Sequence, residues 1–233
     1  IGKFGKYQFN GLFARTEEDP DLEEPKAWFN TLRVKRDILK SSNIGLTYAD
    51  KIWDDGYARS LSFDYVLNIG KTWKFTGQFV GSAPGDFWSH SAWYVRFARE
   101  NNIYHYHIRY SNFGKNFQDN VNQTGFIRDD DRHELDGDIR YRWWFNKKIS
   151  YFEVFGKNNF FWSQEGVLRS WYITYGSRIY TQSRLSFDFN YNNEYKLFEK
   201  EYYNHFYRFT IGYNTDEWAY AKAEYTFGHN FDR

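Results

Sequence analysis

Few residues in this chain of 233 residues have types and spacing suited to chemistry. The densest group is Glu134-Leu-Asp136-Gly-Asp138. In a β-strand, residues two apart point to the same face, so these three carboxylates would form one row. Paired carboxylates can hydrolyse a glycosidic bond with retention when they stand ~5–5.5 Å apart, one as nucleophile and one as acid. Asp138 is shorter than the Glu that would best fill the last place, and Arg140 and Arg142 continue the same face. That arrangement reads more simply as a ladder of alternating charge. His105 and His107 share a strand face at a spacing that could chelate a metal, yet no third ligand is placed by sequence, and zinc takes at least three protein ligands. Asp129-Asp-Asp131 and the acidic run Glu17–Glu24 lack the glycine-centred loop of a calcium site. Asn122-Gln-Thr124 matches a glycosylation acceptor, which matters only in a eukaryotic secretory setting. There is no phosphate-binding glycine loop, no Gly-x-Ser-x-Gly elbow and no His-Glu-x-x-His. The residues predict neither a cofactor nor a metal.

The elements that must position these residues are strands. Aromatic residues make up 24% of the chain, which excludes a disordered segment. Cysteine is absent, so there is no disulfide framework, thiolate metal site or Cys nucleophile. Lysine and arginine exceed the acids by a formal +1, without basic runs, which argues against a nucleic-acid partner. No run of ~18 apolar residues exists to make a membrane-spanning helix. The mean hydropathy of −0.83 looks soluble, but such an average conceals a chain in which polar and apolar residues alternate.

Alternation with period two runs almost throughout. Leu61, Phe63, Tyr65 and Leu67 oppose Ser60, Ser62 and Asp64. Tyr104, Tyr106, Ile108 and Tyr110 oppose His105, His107 and Arg109. Leu135, Ile139, Tyr141 and Trp143 oppose Glu134, Asp136, Asp138, Arg140 and Arg142. Phe206 interrupts the polar face of a later run. These patterns predict about 13 strands of roughly 9–12 residues, the length a tilted membrane-spanning strand needs. The connections are expected to alternate in length. The long ones are 16–26, 111–131 and 192–200, with medium ones at 51–57 and 82–87. The tight ones are 68–71, 100–102, 146–148 and 214–216. Short turns on one rim and longer loops on the other characterise an outer-membrane barrel, and aromatic clusters such as Trp143-Trp144 and Phe160-Phe161-Trp162 near strand ends suit its interfacial girdles. A charge facing lipid at the midplane costs ~2–4 kcal/mol. Asp64, His105, His107, Arg109, Glu134, Asp136, Asp138, Arg140 and Arg142 are therefore expected to face a lumen.

Arg33-Val-Lys-Arg36-Asp37, followed by Ser42-Asn43-Ile-Gly45-Leu46, looks like a signature strand pair. Gly125-Phe126-Ile-Arg128 with Asp130 looks like a second signature. Together they resemble the outer-membrane barrel domain of unknown function that commonly follows a carbohydrate-binding-module-like domain in large bacterial surface proteins. The resemblance spans about Gly2 to Phe231. Asp129 stands where that family often repeats a basic residue. The family has no established activity, so the resemblance implies a fold and a setting rather than a reaction.

The expectation is an all-β, antiparallel up-and-down transmembrane β-barrel, with residues 1–233 forming part of one barrel domain and further segments before or after. Its location would be the bacterial outer membrane and its partner the lipid bilayer, with a glycan or other envelope proteins beside it. The expected role is non-enzymatic: channel, receptor or anchor. The alternatives are a secreted β-glucan hydrolase of jelly-roll type using Glu134 and Asp138, and a structural subunit of a cell-envelope complex.

Overall fold

The computed structural model describes residues 1–19, 21, 24–215 and 218–229. Parts of the acidic run 17–24 and of the turn 214–216 therefore lie outside the described residues. Fourteen strands follow one another: β1 (Gly2–Phe4), β2 (Tyr7–Thr16), β3 (Ala27–Ile38), β4 (Ser42–Trp53), β5 (Gly56–Ile69), β6 (Trp73–Ala83) and β7 (Ser91–Glu100), then β8 (Tyr104–Phe113), β9 (Arg132–Trp144), β10 (Ile149–Trp162), β11 (Leu168–Thr181), β12 (Leu185–Leu197), β13 (Glu201–Asn214) and β14 (Tyr220–His229). One short helix, α1 (Phe117–Val121), interrupts the connection between β8 and β9. Each strand hydrogen-bonds to its sequence neighbours, so the order runs linearly from β1 to β14. The strand pairs are antiparallel, for example Phe63↔Phe79 between β5 and β6 and Asp188↔Thr210 between β12 and β13. The expected all-β, up-and-down order is thus present.

Three expectations change. There are fourteen strands rather than about thirteen, because a turn at Gly5-Lys6 splits the start of the chain into the short β1 and the full β2. Residues 192–197 belong to β12 and not to a long loop, and only 198–200 join it to β13. The polar run Asn192-Asn193-Glu194 looked like a loop, but Asn192 and Glu194 are buried and hydrogen-bonded within the sheet. The link 51–57 also shrinks to residues 54–55, since β4 continues to Trp53 and β5 begins at Gly56. The connections after odd-numbered strands are all short, whereas those after even-numbered strands include 17–26, 84–90 and 114–131. The length asymmetry between the two rims therefore persists, carried by fewer loops.

The chain forms two compact units, residues 1–97 with 110–133 and residues 98–109 with 134–233. In the first, residues 114–131 fold back across β4 to β6. The Phe117 ring is 1% exposed and packs by Phe113 at 6.5 Å. Asn122 clips this loop by accepting the Ile127 N–H at 2.6 Å and donating to its carbonyl at 3.1 Å. Asp130 accepts the Gln118 backbone N–H at 2.8 Å. Gly114 passes so close to the 84–90 loop that an added Cβ would meet the Ser89 carbonyl oxygen at 2.4 Å and that of Trp88 at 2.6 Å. In the second unit the strands are longer, and a single face carries nearly all of their charge.

All ten tryptophans avoid strand centres. Trp28, Trp53, Trp73, Trp93, Trp143, Trp144, Trp162 and Trp171 lie within four residues of a strand end, and Trp88 and Trp218 lie in connections. Replacing Gly114 with alanine should force the two backbone segments apart. We expect a loss of about 1–3 kcal/mol in denaturant unfolding, together with faster proteolysis within 114–131.

Candidate functional site

The alternation of the sequence resolves into two chemically distinct sheet faces. Register places Leu46, Phe63 and Phe79 on one face of β4 to β6, and Gly45, Asp64 and Gln78 on the other. The same segregation holds for β9, where Ile139 is 64% exposed and Tyr141, Trp143 and Leu135 share its side. Rings meet across strands on the apolar face, including Trp143 with Phe152 at 5.5 Å and Phe209 with Phe227 at 6.1 Å. Such pairs add to burial through offset stacking.

The polar face of the second unit is a continuous network. Arg109 on β8 donates to Glu134 on β9 at 2.9 Å, and Asn159 on β10 donates to the same oxygen at 3.2 Å. His107 lies 2.8 Å from Asp136, with the ring of His105 a further 3.1 Å from His107. Asp138 sits between Arg140 at 3.5 Å and Lys157 at 3.8 Å. Arg142 grips Glu153 on β10 through two nitrogens at 2.9 and 2.6 Å. Every carboxylate of the Glu134–Asp138 row thus faces a cation or an imidazole. His107 already engages Asp136, and no group of three or more metal-ligating side chains is gathered among the described residues.

The first unit holds the remaining charge, Asp64. Arg33 on β3 reaches over β4 to it at 2.8 Å and donates to Thr47 at 2.6 Å. Gly45 lies beneath this bridge. A Cβ there would come within 2.5 Å of the Asp64 carboxylate and 2.8 Å of the Arg33 guanidinium. Two residues of the first sequence signature therefore act together. Arg36 lies over the Tyr7 ring and Asp37 meets Lys3 at 3.6 Å, while Asn43 pairs with Val66 in the ladder. Gly125, Phe126 and Arg128 are exposed in the 114–131 loop.

The loops of the first unit are tied to one another. The ammonium of Lys51, on β4, bonds Glu24 of the acidic loop at 3.1 Å and Gln123 of the 114–131 loop at 3.1 Å. The side chain of Asn120 donates to the Pro84 carbonyl at 2.5 Å. In the 84–90 loop, the Ser89 hydroxyl and backbone N–H both donate to Asp86, which holds that carboxyl below the usual carboxylate range. Asp129, Asp130 and Asp131 do not converge. Asp130 fastens Gln118, Asp129 pairs Arg132 at 3.7 Å, and Asp131 donates its N–H to the Gly114 carbonyl.

Sequence reasoning placed Arg208 on the polar face of its strand but missed Lys51, Glu153, Arg178, Asp188, Lys222 and Glu224. The signal was present in the same alternation: Arg178, Asp188 and Thr210 fall on one cross-strand row. No known protein family, curated protein or solved structure matches the chain. Function must therefore be argued from the faces and the network.

Burial separates the strong links from the weak ones. Glu153 is 2% exposed, so Arg142→Leu leaves a buried carboxylate without its two N–H donors and should cost about 3–5 kcal/mol. Lys196 meets Glu194 at 3.4 Å with its own side chain 43% exposed. Lys196→Gln should cost less than about 1 kcal/mol. Chemical denaturation of both variants checks the order.

Proposed function

We propose that this chain is the wall of a non-enzymatic outer-membrane β-barrel that serves as a passage or receptor, with a glycan as its first candidate solute. One observation carries the reading. Strands of ten to fourteen residues from β2 through β14 present an apolar, ring-rich side, while their charges pair on the opposite side. A side that bears Leu46, Leu61, Phe63, Ile108, Ile139 and Ile211 at half exposure or near it is far larger than the apolar patches monomers leave in water. Lipid accounts for it. The charge network then lines a wet lumen, where its members have both partners and water.

Three further features support this reading. The strand lengths suit a tilted crossing of the hydrocarbon layer. Tryptophans at strand ends suit the headgroup level. The rim asymmetry matches short periplasmic turns and longer outer loops. In lipid no backbone edge stays unpaired, so the edges of β1 and β14 must each find a strand in the membrane. The 114–131 loop, laid across the polar side of β4 to β6, would narrow the passage beside it. The resemblance to a barrel that follows a carbohydrate-binding-like domain is what makes a glycan the first candidate.

The rival hydrolase would use Glu134 and Asp138. Both lie on the uninterrupted strand β9, four residues apart. Each is also occupied by a basic side chain.

Refolding of the full chain into detergent and then lipid vesicles tests the proposal. Ile139→Arg should lose about 2–4 kcal/mol of folding stability in the bilayer, and Asp136→Asn far less. The parent should release no reducing sugar from a β-glucan. Hydrolysis that disappears in Glu134→Gln, or equal tolerance of both substitutions in lipid, would overturn it.

A further inference from the structure

On the polar face of β10 to β14 the side chains form a grid. One row is Arg178, Asp188, Thr210 and Glu224. The next row toward the short-turn end is Tyr180, Ser186, Gly212 and Lys222. The small residues Ser186, Thr210 and Gly212 lie in the middle of the grid, and the long ones stand around them. The result is a depression of about 530 Å³, within the ~300–1,000 Å³ range of small-molecule sites.

Its charge is unbalanced. Arg178, Arg184, Arg208 and Lys222 line it against only Asp188 and Glu224. Arg178 meets Asp188 through Nε, and Arg208 meets Glu224 through Nε at 3.2 Å. Lys222 reaches Glu224 from the other side at 2.7 Å. The Arg178 guanidinium is thus held by its inner nitrogen, the Arg208 guanidinium is ion-paired with Glu224 without a hydrogen bond through Nε, and the terminal nitrogens of both have no hydrogen-bond partner among the described residues. A planar fork fixed in this way suits a carboxylate or phosphate. The depression also offers what a sugar ring needs. Tyr151 and Tyr180 stack at 5.4 Å with a 19° interplanar angle. The neutral side chains of Ser186 and Asn190 line the same space.

We propose that this depression binds an acidic saccharide unit, with its carboxylate on the terminal nitrogens of Arg178 and Arg208 and its ring against Tyr180, whose partner Tyr151 is itself backed by the Arg142 guanidinium. The site rests on the passage reading only for the route by which a solute arrives. Lysine at 222 and arginine at 184 add attraction at the short-turn end. A neutral sugar leaves both guanidinium forks unanswered, so the site discriminates by charge before shape. Elevated salt weakens the contact because the cradle is half open to water.

Titration calorimetry on the full chain in detergent, with glucuronate, glucose and inorganic phosphate as separate probes, tests this. Glucuronate should bind at least about tenfold tighter than glucose, as expected for charge-assisted hydrogen bonds that the neutral sugar cannot make. Arg208→Gln should weaken glucuronate by about tenfold or more, while Glu224 keeps Lys222 as partner. Lys222→Gln, at the more exposed position, should weaken it less. Circular dichroism of each variant establishes that the sheet is retained. Glucose binding as tightly as glucuronate would overturn the proposal, as would unchanged affinity in both variants or no binding at all. Phosphate binding as tightly as glucuronate would overturn the saccharide assignment. Because binding is read in detergent, a chain that fails to enter vesicles yet binds glucuronate contradicts the barrel proposal and leaves this one standing.

Discussion

The constraint on which everything else depends is that a strand has only two sides. Once one side is given to rings and branched aliphatics, every charge in the strand must find its partner on the other. In β8 to β10 this forces Arg109, Glu134, His107, Asp136, Arg140, Asp138, Arg142 and Glu153 into one network. The network in turn fixes register, because a slip of one residue would turn every carboxylate onto the apolar side. The bridge from Arg33 to Asp64 does the same for β3 to β5, and it needs the bare backbone of Gly45 to pass.

How much of this could be read from sequence follows from the same alternation. The charged set named from β8 and β9 is placed on one face, because period-two patterning is unbroken there. The strand ends were harder. Asn192 and Glu194 read as loop, since Asn favours turns and Glu is depleted in strands. Their partners Tyr172, Thr174 and Asn204 lie on neighbouring strands and leave no mark in the local sequence. Helix α1 was missed for a related reason. Its five residues are ordered by Asp130 and by burial of Phe117, both effects of tertiary packing. The arginine-lined depression spans five strands, so it becomes visible only when register is known.

Loop design complements the sheet. Lys51 stands on a strand but serves the rim, joining the acidic loop to the 114–131 loop through one ammonium. Backbone contact at Gly114 and the Asn120 bond to Pro84 add two more fastenings between loops. The first unit therefore spends its polar groups on holding a loop across its face. The second leaves that face open and lines it with charge. In the proposed barrel these are complementary means of controlling what passes.

The central claim is that the ring-rich face meets lipid. The chain contains no cysteine, so single cysteines can be introduced without interference. Ile211→Cys and Thr210→Cys place one reporter on each face of β13. Each would carry a fluorophore in vesicles containing nitroxide lipids, with a water-soluble quencher supplied separately. The account predicts strong quenching by nitroxide lipid and weak aqueous quenching at position 211, with the opposite at position 210. Equal aqueous quenching at both positions, with no effect of the lipid quencher at either, would contradict it.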